Sequence, residues 1–163
     1  MVKKTTNFAS FNMKAQYERD DDAVDNGVWI DFITEAGVKT NLRFKIAYAD
    51  NAAYKKLIND YWQSRLVLPE SEQMPSLIER ANIDNEYFAQ TILKNWGYYD
   101  ESNNFIEGIL PWGDEQLDFN VENAKMLLAL KLAKETFYTY VAKIADDFTN
   151  FRKSRLEDDI KNS

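Results

Sequence analysis

A chain of 163 residues is long enough for one domain that buries about two thirds of the surface its unfolded chain exposes. It contains neither cysteine nor histidine, which excludes disulfides and thiolate metal sites and removes the commonest general base and metal ligand. Its 27 acidic residues outnumber 20 Lys and Arg, and the formal charge of -7 argues against a nucleic-acid surface and towards protein partners.

Residues 1–26 mix polar residues with isolated apolar ones and end in Asp20, Asp21, Asp22 and Asp25, the composition of a mobile or loosely docked arm. A start of MVKKTTNFAS without an apolar segment behind it does not read as a signal peptide. The acidic cluster fails as a calcium loop. With Asp22 in the first ligand position, Val24 and Ile33 fall where carboxylates are required.

From Gly27 the pattern changes to period two. Val28, Ile30 and Phe32 alternate with Trp29, Asp31 and Ile33; Glu35 to Gly37 supply a turn; Leu42, Phe44 and Ile46 alternate with Arg43, Lys45 and Ala47. The pattern predicts a β-hairpin over 27–48. A hairpin is marginal alone, so it must lie on a helix or gain a strand from the N-terminal arm or another chain. Asp50 then caps a predicted helix with Tyr54, Leu57, Ile58, Tyr61 and Trp62 on one face, ending before Pro69. Between Pro69 and Asp84 a short helix starts at Ser76, with Glu79 completing a capping box. Residues 85–96 form the next helix through Phe88, Ala89, Ile92, Leu93 and Trp96, with Gly97 as its stop. Residues 98–113, with Asn103, Asn104, Gly108, Pro111 and Gly113, read as a connector.

The strongest periodicity lies in residues 117–151. Asn120 is placed to cap a helix with Glu122 in its first turn, and Phe137, Tyr140, Val141, Ile144, Phe148 and Phe151 recur at spacings of three and four. A helical pair follows, its second member the main packing partner for the rest of the chain. After Phe151 the apolar content falls to Leu156 and Ile160, so 152–163 reads as a charged tail. The longest notable apolar run, Met126 to Leu130, is far short of the roughly twenty residues of a membrane helix. The expected fold is therefore α+β: a small N-terminal antiparallel sheet over 27–48, then four or five helices over 50–151 in the same domain.

No glycine-rich phosphate loop or nucleophile elbow is present. The acidic groups Asp114 with Glu115, Asp146 with Asp147, and Glu157 with Asp158 and Asp159 sit in helical or tail contexts that read as exposed, so neither a catalytic site, a cofactor nor a metal is expected. Trp29, Tyr98, Tyr99 and Trp112 stand beside turns rather than inside core periods, and Trp and Tyr are enriched at interface hot spots.

Several short phrases, in order from Gly27 onward, resemble the phage tail assembly chaperones, small non-virion proteins that escort the tape measure protein while the tail tube is built around it. Gly27-Val28-Trp29-Ile30 resembles the opening of that family's first strand, and Phe44-Lys45-Ile46-Ala47 with Asn51 and Tyr54 its second strand and following helix. Asn95-Trp96-Gly97 resembles a helix end, and Phe119-Asn120-Val121-Glu122-Asn123-Ala124 a helix opening; Asn150-Phe151 and Lys161-Asn162 fit the order. The chain departs from the pattern in Asn120, where threonine or serine is usual, in Tyr98-Tyr99 after the glycine, and in the long aromatic helix near its end.

The resemblance implies a holdase in the host cytoplasm, absent from the mature virion. Its partners would be the tape measure protein and, as a second one, tail tube protein, with self-association allowed and neither nucleic acid nor membrane involved. Trp29, Tyr98, Tyr99, Trp112 and the tail cations Arg152 and Arg155 are the expected contacts. A longer product made by ribosomal frameshifting is also implied, since Lys161-Asn162 is compatible with a slippery codon pair; the gene sequence tests this. The competing readings are an acidic nucleic-acid mimic, which twenty dispersed cations dilute, and a structural virion component, with a carboxylate-only enzyme last.

Overall fold

The computed structural model describes residues 10–154, so the resemblance at Lys161-Asn162 lies outside the described residues. The architecture is mixed α+β with antiparallel sheets, but strands and helices interleave along the chain and do not segregate into an N-terminal hairpin and a helical remainder. The predicted hairpin forms as β1 (Val28–Ile33) and β2 (Lys39–Ile46), with Ile30 opposite Phe44 and Val28 opposite Ile46. Its turn is closed by the Thr34 amide on the Val38 carbonyl (2.9 Å), while the Thr34 hydroxyl accepts from the Val38 amide (3.1 Å).

The strand that completes this hairpin comes from a segment expected to be helical. The helix α4 runs from Leu77 to Thr91, capped by the Ser76 hydroxyl, and the chain then extends into β3 (Leu93–Tyr99) against β2. A short β4 (Phe105–Glu107) follows, giving the order β1-β2-β3-β4. Phe88, Ala89, Ile92, Leu93 and Trp96 fit a helical period, yet the free edge of β2 decides the outcome. Pairing there satisfies the backbone of both strands and buries Leu93 and Trp96 completely. Gly97 is consequently no helix stop. It lies within β3, where an added Cβ would stand 2.6 Å from the Ile106 carbonyl oxygen and from the Phe105 ring. The expected connector over 98–113 is likewise largely strand, ending in a second hairpin of β5 (Ile109–Trp112) and β6 (Glu115–Asp118).

The inner face of the sheet, with Ile30, Phe32, Leu42, Phe44, Ile46 and Trp96, packs on α5 (Val121–Leu128) and α6 (Phe137–Ala145). Asn120 caps α5 as expected, accepting from the Asn123 amide at 2.8 Å. Phe137 meets Phe44 at 4.8 Å between ring centroids and Tyr140 meets Phe32 at 5.3 Å, while the buried Trp96 indole donates to the Leu117 carbonyl at 3.0 Å.

The single long aromatic helix expected over this region is broken. Residues 129–136 turn back on themselves, with the Phe137 amide on the Leu130 carbonyl (2.8 Å) and Thr136 capping α6. At the other end, Asp147 caps a separate 3₁₀ turn over Phe148–Asn150. A local cap therefore outcompetes the continued helical period, and Phe148 and Phe151 leave the row of Phe137, Tyr140, Val141 and Ile144. Phe151 instead fills a second small core with Ala23 and Val24.

That second core anchors part of the segment read as an arm. Helices α1 (Met13–Tyr17) and α2 (Asp21–Asn26) precede the sheet; α1 buries nothing, but the Asp20 amide donates to the Phe151 carbonyl (2.8 Å) and the Lys153 amide to that of Glu18 (2.9 Å). The helix α3 (Ala52–Leu66) starts one residue later than expected. Asn51, not Asp50, is its cap, because the Asn51 side chain is buried and accepts from the Tyr54 amide (2.8 Å) while donating to the Tyr48 carbonyl (2.7 Å). Asp50 is left at the surface between Lys55 (3.0 Å) and Arg19 (3.4 Å); the hydrogen bond from Lys55 holds its carboxyl below the usual range.

Candidate functional site

Period two places Trp29, Arg43, Gly97, Tyr99 and Phe105 on the outer face of the four-stranded sheet, opposite the core. Phe105 lies over Gly97, whose missing side chain leaves the space the ring needs. Trp29 meets Phe105 edge to face at 4.9 Å, and Tyr99 meets it at 5.2 Å, making a half-buried aromatic strip across the strands. Beside the strip runs an open groove of about 560 Å³ lined by Asp31, Lys39, Asn41, Arg43, Tyr99 and Asn103. Its charges are already matched. Asp31 sits 3.0 Å from Arg43 Nε and 3.4 Å from Lys39 Nζ, and Asn41 donates to the Tyr99 carbonyl at 2.9 Å.

Of the residues expected to bind a partner, the structure thus brings together Trp29 and Tyr99, through a Phe105 not anticipated. Tyr98 does not join them. Its neighbours in register are Leu42 and Ile106, on the core-facing side, because adjacent residues of a strand point to opposite faces. Trp112 stands apart at the end of β5, 37 % exposed. Arg152 is engaged internally: its Nη1 donates to Gln16 Oε1 at 2.7 Å and its backbone bridges to Arg19, so it ties the N-terminal segment down. Arg155 lies outside the described residues.

The least expected surface is the distal end of α3 and α4. These helices form an antiparallel pair: Tyr54 packs on Phe88 at its base, while Arg65 reaches Glu79 at its tip. No residue of α3 is buried, and α4, which lies along α5 and α6 from Ala81 on, buries only Phe88, Ala89 and Thr91 in its last turn, so α3 and the first turn of α4 project from the core. At the far end Leu66, Val67, Met74, Leu77 and Ile78 are between 62 and 90 % exposed. Scattered apolar residues at a surface need no explanation, but five grouped around one turn make this end a candidate interaction surface.

The turn carrying them is braced from within. Arg65, its side chain only 14 % exposed, donates through Nε to the Gln73 carbonyl (3.0 Å), through Nη1 to Glu79 (3.1 Å) and through Nη2 to the Glu72 carbonyl. Gln73 donates back to the Leu68 carbonyl at 3.1 Å, closing the turn, and the Arg80 guanidinium lies 5.2 Å over the Trp62 ring. The predicted face of Tyr54, Leu57, Ile58, Tyr61 and Trp62 is only half-buried. A sequence signal for the tip does exist: Leu66, Val67, Leu68, Met74, Leu77 and Ile78 crowd around Pro69 and Pro75, where a turn should be polar.

Among the described residues no three acidic side chains converge to hold a metal ion, and no helix is long and apolar enough to cross a membrane. No protein-family model, curated protein or solved structure matches the chain.

Proposed function

We propose that this protein is a tail assembly chaperone that holds a phage tape measure protein in soluble form in the host cytoplasm until tail tube protein displaces it. The observation that carries the reading is the braced hairpin tip with five exposed apolar side chains. A rigid apolar surface shields an apolar-striped helix from aggregation at little ordering cost, and its modest size keeps the contact reversible.

The phrases behind the family resemblance lie on matching elements at three places. β1 opens after Gly27, β2 leads to the Asn51 cap of α3, and Asn120 opens α5. Asn95-Trp96-Gly97 counts against the resemblance, since it lies in a strand and not at a helix end.

Co-expression with the long, tape-measure-like product of the neighbouring gene tests the proposal. The expected outcome is that this product stays soluble only in company with the protein, that the two co-purify, and that purified virions lack the protein. Aggregation of the product regardless of the protein, or recovery of the protein from finished particles, defeats the reading.

A further inference from the structure

The hairpin tip also carries information on the chemistry of what it binds, and this inference rests on the chaperone reading only for the identity of the natural partner. On α3, Ile58, Trp62 and Leu66 follow one another at spacings of four and so share one side of the helix. Arg80 of α4 reaches over Trp62, which puts Leu77, on the same side of α4 as Arg80, beside that row, while Ile78 lies in line with Asn82 and Asn85 on the side of α4 turned towards α5. The far end of α3, the turn and the first turn of α4 thus present exposed apolar side chains beyond the part of α4 that lies along α5 and α6.

The charges around this row are one-sided. Both arginines of the tip are used internally, Arg65 on Glu79 and the turn carbonyls, Arg80 on Asp84 (3.1 Å) and Trp62. Glu70 and Glu72, exposed on the 3₁₀ turn between the helices, make no ion pair among the described residues. The tip therefore presents an apolar surface bordered by uncompensated negative charge. We infer that it docks a partner helix whose apolar stripe is flanked by Lys or Arg, the stripe lying on the exposed apolar side chains of the tip and the cations facing Glu70 and Glu72. An anionic membrane surface, the other apolar and charged partner to consider, is disfavoured by the same two carboxylates. Arg65 is a positioning residue, since it holds the turn on which the apolar and acidic groups stand.

The test uses the full-length protein and two labelled synthetic helical peptides of about 20 residues with the same leucine stripe, flanked in one by lysine and in the other by glutamate, their binding followed by fluorescence anisotropy. At low salt the lysine peptide should bind at least tenfold tighter than the glutamate peptide, with the gap closing as salt screens the charges. Glu70→Lys with Glu72→Lys should reverse the order. Leu77→Asp with Ile78→Asp should abolish binding of both peptides without unfolding the protein, because both positions are exposed and acidic residues suit a helix's first turn. Arg65→Ala should weaken both peptides and raise hydrogen exchange in residues 66–76 alone, whereas Arg65→Lys should recover little of either.

Equal binding of the two peptides, binding unmoved by the Leu77 and Ile78 substitutions, or adsorption through these residues to phosphatidylcholine–phosphatidylglycerol vesicles in place of the lysine peptide overturns the inference. Its fate is separable from that of the chaperone reading. A tape measure product kept soluble equally by the Leu77 and Ile78 variant leaves the chaperone reading standing without the tip. Peptide binding as described with no rescue of that product leaves the tip standing without the chaperone reading.

Discussion

Gly97 shows how much can rest on one absent side chain. Its place on the outer face of β3 is occupied by the Phe105 ring, and the Ile106 carbonyl is equally close, so the backbone cannot yield. Gly97→Ala is expected to displace Phe105, loosen the strip with Trp29 and Tyr99, and cost about 1–3 kcal/mol, as overpacking in a close-packed site does; urea unfolding measures it. Asn51 works by the opposite means, filling its site with bonds. Besides capping α3 it donates to the Tyr48 carbonyl and to that of Thr91 at 3.3 Å, tying α3 to the sheet and to the end of α4. Asn51→Ala should cost about 2–3 kcal/mol, a lost cap plus buried carbonyls left without a donor. Tyr138 and Tyr140 give the residue scale a pH signature. Burial, reinforced by Asp84 for the first and Asp31 for the second, raises both phenols, Tyr140 to about 12 and Tyr138 further. A raised folded-state pKa means the unfolded chain loses these protons first. Their contribution is whole below the ordinary phenol value near 10 and is lost as pH rises from there through 12. Absorbance titration should show these two tyrosines ionising last, and Tyr140→Phe should flatten the alkaline fall in the urea midpoint.

Among the elements, the broken C-terminal segment and the projecting hairpin have the largest consequences. Had residues 137–151 continued as one helix, Phe151 would extend the row of α6; instead the Asp147-capped turn sends it into a second core with Ala23 and Val24. Phe151→Ala should therefore cost about 3–5 kcal/mol and expose residues 10–26 to limited proteolysis before the main core opens. The α3–α4 pair has the reverse character. It is long and well capped but buries nothing along α3, so its distal backbone is protected only by its own helical bonds and the Arg65 brace. Native-state hydrogen exchange should find these distal turns opening well below the global unfolding free energy, with β2, β3 and α6 at the top of the range.

For the molecule as a whole, the division is between a buried core that joins sheet and helices and the apolar surfaces that this core leaves uncovered. The hairpin of β1 and β2, the caps at Ser76 and Asn120, and the inward set of Phe44, Ile46, Phe88, Phe137 and Val141 were legible in the residues, because alternation, capping side chains and apolar rows act over a few neighbours along the chain. The identity of β3 was not, since Leu93 and Trp96 suit either period and only the free edge of β2, nearly fifty residues earlier, chooses between them. The same holds for Trp29 and Tyr99, predicted one by one and joined only through Phe105 and Gly97, and for Tyr98, turned inward by strand pairing. The exposure of α3 and of the tip beyond it was not legible either, because an apolar row says that a surface wants cover but not whether the chain has any left to cover it. Local chemistry thus wrote the elements and their caps into the sequence, while long-range pairing and the supply of apolar surface, properties of the assembled fold, settled which strand completes the sheet and which helix is left facing outward.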